Sequence, residues 1–110
     1  LRANGYLAGI ARLRSDDMAT YNYFAHESPV TGQSAFSLMD QYGVPYGWAG
    51  ENLAKNNYPI DQTVAVADEA LWNSPSHRAN ILNANYTDAG IALAVDATGM
   101  NYFTILFTGP

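Results

Sequence analysis

A chain of 110 residues with 48% hydrophobic content has room for one folded domain with a sizeable core, and its length argues against a second. Five Lys and Arg stand against ten Asp and Glu, a net charge of −5, which argues against a nucleic-acid backbone or an anionic membrane surface as partner and favours a ligand that is neutral, cationic or a metal ion. There is no cysteine, hence no disulfide or thiolate metal site, and no run of about 18 apolar residues long enough to form a transmembrane segment.

Residues 6 to 24 carry Leu7, Ile10, Ala11, Met18 and Tyr21 on roughly one face at helical spacing, which predicts an amphipathic helix. Arg14 interrupts that face, and the simplest place for it is a stem packed along the helix with its head reaching a carboxylate or water. The helix stops near Phe24, because "AHESPVTG" supplies the turn formers Ser28, Pro29 and Gly32; His26 is left on a loop just past the helix end. "SAFSLMDQYG" reads as a second, short helix, capped by Ser34 and ended by Gly43. "VPYGWAGENLAKNNYP" is mostly loop, with a brief strand around Glu51 to Ala54. A third helix starting near Asp61 carries Ile60, Val64, Ala67 and Leu71 along one face. A fourth follows at once, with Ser74 as N-cap and Pro75 at its first position, where the missing N–H costs nothing.

The last third changes period. "DAGIALAV" is a nearly continuous apolar run of strand length, and "NYFTILFTG" alternates Phe103, Ile105 and Phe107 against Tyr102, Thr104, Leu106 and Thr108. The intervening "DATGM" is a short glycine-bearing turn, so the two strands form an antiparallel hairpin. Helices come first and strands last, which places the chain in the α+β class with a small antiparallel sheet.

The side chains best suited to chemistry are His26 in "FAHESP", Glu51 in "GENL", Glu69 in "ADEALW" and His77 in "SPSHR". Both histidines sit beside Ser-Pro turns at helix ends, and Glu51 lies between glycine-bearing bends, backbone able to aim a short side chain into a cleft. Two imidazoles and a carboxylate would supply three protein ligands for a tetrahedral zinc or another divalent cation with one open position. Without metal the same trio could act as general base and proton shuttle. The three are remote in sequence and form no local ligand motif, so a shared site requires that the fold bring them together.

Two longer stretches, "FAHESPVTGQSAFSLMDQYGVPYGWAGENLA" and "ALWNSPSHRANILNANYTDAGIALA", together with the closing "YFTILFTG", resemble the bacterial branch of the CAP superfamily, named for cysteine-rich secretory proteins, antigen 5 and pathogenesis-related proteins. Gly50-Glu51-Asn52 and Trp72 to Arg78 are the most specific parts. The resemblance implies a single SCP-like domain over residues 1–110, a three-layer α-β-α sandwich, an extracellular location, and a cleft lined by two His and two acids. Residue by residue, these are His26, His77 and Glu51, with Glu69 the nearest candidate for the second acid. Glu69 precedes Trp72, whereas in many members that acid follows the tryptophan, and it projects opposite the Ile60, Val64, Ala67, Leu71 stripe at about 100° per residue, which favours a solvated face. The usual first helix of the family, with its Asn and Arg, has no counterpart; the chain begins at Leu1 rather than Met, as removal of a leader or N-terminal segment would leave it.

Three functions compete. The first is an exported binding domain holding a divalent metal or a small ligand at His26, Glu51 and His77. The second is a metal-dependent hydrolase of peptidase type, for which a further carboxylate, Glu69 or Glu27, must turn inward as base. The third is a structural or interaction module whose polar trio satisfies its own hydrogen bonds. A serine nucleophile is disfavoured, since no GxSxG turn is present.

Overall fold

The structure of the protein, a computed structural model, describes residues 1–58 and 73–110. The helix expected from Asp61, and with it Glu69 and Trp72, lies outside the described residues. Within them the chain runs β1 (Arg2–Ala3), α1 (Gly5–Tyr21), α2 (Ala35–Gln41), β2 (Trp48–Asn56), α3 (Pro75–Leu82), β3 (Asp88–Val95) and β4 (Asn101–Gly109).

α1 forms where the apolar spacing places it. Asn4 caps it, its side-chain oxygen accepting from the backbone N–H groups of Tyr6 and Leu7, which satisfies two of the donors that a helix start leaves open. Leu7, Ile10, Ala11, Arg14, Ser15 and Met18 are buried along one face. The helix ends at Tyr21 rather than Phe24 because Asn22 takes the left-handed conformation at φ 54° and returns its N–H to the Met18 carbonyl, a stop that asparagine tolerates better than most residues. Tyr21 is consequently 53% exposed and not part of the buried stripe. α2 carries the expected cap, with Ser34 and Ser37 bonding each other's backbone N–H groups. At α3, Ser74 occupies the cap position and Pro75 the first turn, but the Ser74 side chain makes no capping bond.

The four strands form one sheet in the order β1-β3-β4-β2. β3 and β4 are the expected antiparallel hairpin, in register from Asp88↔Thr108 to Val95↔Asn101. Two features differ from the sequence reading. The sheet is mixed, because Arg2 and Ala3 pair in parallel with Asp88 and Ala89; a two-residue strand has no period to read. β2 extends over Trp48–Asn56, well beyond Glu51 to Ala54, because it pairs residue for residue with β4 from Trp48↔Gly109 to Asn56↔Asn101.

β4 is therefore central, bonded on both edges. One of its faces meets α1 and α2: Leu106 packs with Leu7, Ile10, Ala11, Ala35 and Met39, while Tyr102 packs with Met18 and Leu53. Each large apolar side chain buried there contributes about 1.5–3 kcal/mol. The Ser15 and Thr104 hydroxyls meet at 2.7 Å within this layer. On the other face Phe107 stacks on Tyr86, with ring centroids 5.3 Å apart, and α3 lies against β2. Helices thus cover both faces of the sheet, and the α-β-α layering expected of the chain is present.

Candidate functional site

The site is organised from β2. Successive strand residues face opposite sides of a sheet, and Glu51 and Asn52 do so here. Glu51 points toward α1. Its side chain is 1% exposed and forms an ion pair with Arg14, Nε to Oε2 at 2.9 Å, with a second bond from Nη2 to Oε1 at 3.3 Å. His26 completes the carboxylate: its Nδ1 lies 2.7 Å from Oε1, while its side chain is 64% exposed. One oxygen of Glu51 thus serves both cation and imidazole, and the other serves Arg14 alone.

Arg14 is 2% exposed and none of its nitrogens is idle. Nη1 donates to the Tyr23 hydroxyl at 3.1 Å and Nη2 donates to the Ala25 carbonyl. Burial disfavours the guanidinium charge, but the hydrogen bonds and charge of Glu51, with Tyr23 adding to them, outweigh it and hold the Arg14 pKa above its ordinary value. Tyr23 in turn donates to the Asp17 carboxylate. Its phenol is pushed up, first by burial and then by that bond to Asp17.

Asn52, fully buried, faces the other way. Its Nδ2 donates to the His77 carbonyl at 3.2 Å and its Oδ1 accepts from Asn80 Nδ2 at 2.8 Å. This side chain binds the first turns of α3 to β2. His77 therefore stands one strand residue away from Glu51 but on the opposite face, held through its backbone; its imidazole makes no hydrogen bond with the other described residues. β2 is the outer strand of the described sheet, so groups on its two faces approach each other only around its edge.

Of the sequence-derived trio, His26 and Glu51 are in direct contact and His77 is tied to the neighbouring residue. Glu69 lies outside the described residues. Among the described residues no group of three or more His, Cys, Asp or Glu is placed to hold a metal ion. The donor chemistry says why Glu51 fits poorly as a ligand: both its oxygens already accept from Arg14 and His26. His26 fits better. With Nδ1 directed at an acceptor, the neutral ring carries its proton there, and Nε2 keeps a lone pair on an exposed ring. A hollow of about 900 Å³ lies elsewhere, between Tyr6, Tyr42, Tyr46 and Asp88, and neither histidine nor Glu51 lines it.

Sequence reasoning left the Arg14 head to a carboxylate or water without identifying Glu51, and it gave Asn52 no role beyond its place in Gly50-Glu51-Asn52. Arg14 did leave a signal, since a charged residue on the apolar face of a helix needs a buried partner. Asn52 left only its position beside Glu51.

Comparison with known proteins agrees with this architecture. The family model described as the cysteine-rich secretory protein family, CAP, matches residues 1–107, and the chain belongs to that family. It is 42% identical over 91 residues to the uncharacterized protein YkwD of Bacillus subtilis, a match covering 83% of this chain and 34% of that protein. An extracellular SCP-domain protein of Bacillus anthracis superposes with a TM-score of 0.82 at 29% identity, over 100% of this chain and 34% of the other. An outer surface protein of Borrelia burgdorferi has the same fold, with a TM-score of 0.81 at 19% identity over 99% of this chain and 77% of its own. The chain thus spans about a third of the length of both Bacillus proteins.

Proposed function

We propose that this CAP domain is an exported ligand-binding domain whose working group is the His26 imidazole and whose ligand is a divalent cation such as zinc, with His77 as a companion donor that would have to reach it around the edge of β2. Glu51 orients His26 and does not itself ligate. The carrying observation is the 2.7 Å contact between His26 Nδ1 and a carboxylate that is buried and held by Arg14. Histidines that bind metals commonly donate their other ring N–H to a carboxylate in this way, which fixes the ring and raises the basicity of the free nitrogen. A cation bound at Nε2 would act as a Lewis acid toward a small ligand in the open coordination positions.

Export is supported by the bacterial extracellular and outer-surface proteins that share the fold. No described helix is long and apolar enough to cross a membrane.

The experiment is thermal unfolding with and without zinc. At a hundredfold excess over the dissociation constant, zinc should stabilise by about 2.7 kcal/mol, a rise of about 10 °C for a domain of this size. His26→Ala and His77→Ala should each remove the rise. A melting temperature indifferent to zinc, copper, calcium and magnesium would defeat the proposal.

A further inference from the structure

We infer that Arg14 is the positioning residue of the His26 site and sets the imidazole from both of its ends. The inference rests on the reading of His26 as the working group. Through Nε and Nη2 Arg14 holds Glu51, the carboxylate that meets the ring at Nδ1. Through Nη2 it also holds the carbonyl of Ala25, the residue immediately before His26. Through Nη1 it holds Tyr23, at the start of the same turn. Ring and backbone are thus referred to one planar group whose own stem is locked in the core of α1.

This arrangement suits arginine and not lysine. The contacts to Glu51, Tyr23 and Ala25 diverge in the plane of a rigid fork, which an ammonium on a flexible stem cannot reproduce together. Loss of the fork would leave the carboxylate free to turn and the turn at residues 23–26 free to shift. The exposed ring would then have no fixed direction, although its own residue and its carboxylate were still present.

The test is the pair Arg14→Lys and Arg12→Lys in the otherwise unchanged protein, read by imidazole nitrogen NMR and by zinc titration. Arg12 lies on the exposed side of the same helix and pairs with Asp16, so Arg12→Lys controls for the general effect of exchanging a guanidinium for an ammonium on this helix. In the unsubstituted protein and in Arg12→Lys, neutral His26 should carry its proton on Nδ1. In folded Arg14→Lys that preference should fall to the mixture of a free imidazole, and zinc affinity should drop about tenfold or more. A folded Arg14→Lys with unchanged tautomer and unchanged affinity would overturn the inference. If no zinc binds to the unsubstituted protein, the functional proposal fails by itself and the tautomer decides for Arg14. Should Arg14→Lys not fold, exchange in the unsubstituted protein decides: the Arg14 Nε–H and His26 Nδ1–H signals should be protected and lost together, and a freely exchanging Arg14 beside a protected His26 would sink the idea.

Discussion

Glu51 and Asn52 are adjacent residues of one strand that serve two separate networks on opposite faces of the sheet. Glu51 joins α1 and the His26 turn; Asn52 joins α3. A two-residue segment of β2 therefore fixes the distance between the two histidine-bearing parts of the chain.

Truncation of Glu51 should be severe. Glu51→Ala leaves the Arg14 guanidinium buried without its carboxylate, and breaking a buried pair from one side costs about 3–5 kcal/mol. Urea unfolding checks this. A loss below about 1 kcal/mol would mean that water already reaches Arg14.

The hydroxyl pair Ser15–Thr104 predicts a non-additive cycle. Both residues are fully buried and their oxygens are 2.7 Å apart, so Thr104→Val leaves Ser15 with only its long 3.4 Å contact to the Ala92 carbonyl. The single change should cost about 1–3 kcal/mol. Adding Ser15→Ala should cost little more, and calorimetry of the four proteins measures the coupling.

Gly90 marks where β3 touches α1. A Cβ there would run into the Ala8 backbone nitrogen and lie 2.5 Å from the Leu7 carbonyl carbon. These backbone atoms of α1 cannot yield by rotating a side chain, so Gly90→Ala should destabilise by about 1–3 kcal/mol or more, as thermal unfolding will read. Gly99→Ala provides a contrast: it sits in the hairpin turn at φ 89° with open space around it, so any cost there is conformational and not steric.

The acid and alkaline limits follow from two sets of groups. Asp88 is held below its ordinary value by hydrogen bonds from Asn4 and Thr87, then by Arg2, and Asp96 by its bonds from Thr98, Met100 and Tyr102. Depressed carboxyl values in the folded state add stability above the unfolded value, near pH 3.8, that disappears as pH falls through the folded ones. Tyr23 and Tyr102 lie above their ordinary value, mainly through burial and then through bonds to Asp17 and Asp96. Their stabilising effect is complete below the unfolded value, near pH 10.0, and is lost as pH rises through the folded ones. Unfolding midpoints measured across pH should therefore decline at both ends, and Asp88→Asn should flatten the acid side.

How much of this was legible depended on the range of the interaction. The β3–β4 hairpin and the stripe Leu7, Ile10, Ala11 and Met18 are local periodicities and are present, while Tyr21, expected on the same stripe, is exposed. The end of α1 falls three residues earlier than Phe24 because Asn22, and no Gly or Pro, makes the stop. β1 and the full length of β2 depend on partners remote in the chain, Asp88 and Gly109 among them, and no local pattern carries them. Residue type and turn position group His26 with Glu51 as candidates, and the family resemblance repeats that grouping, but their contact itself is made by the fold. The sequence left the Arg14 head to a carboxylate or to water; that it meets Glu51 is a property of the sheet register.

The Arg14–Glu51 tie spans 37 residues of sequence in a chain that has no cysteine. It joins distant segments as a covalent bridge would, yet thiols, peroxides and shifts in ambient potential have nothing in it to attack. The domain should accordingly melt at the same temperature in dithiothreitol as in air, while being more vulnerable than a bridged relative to loss of a single charge.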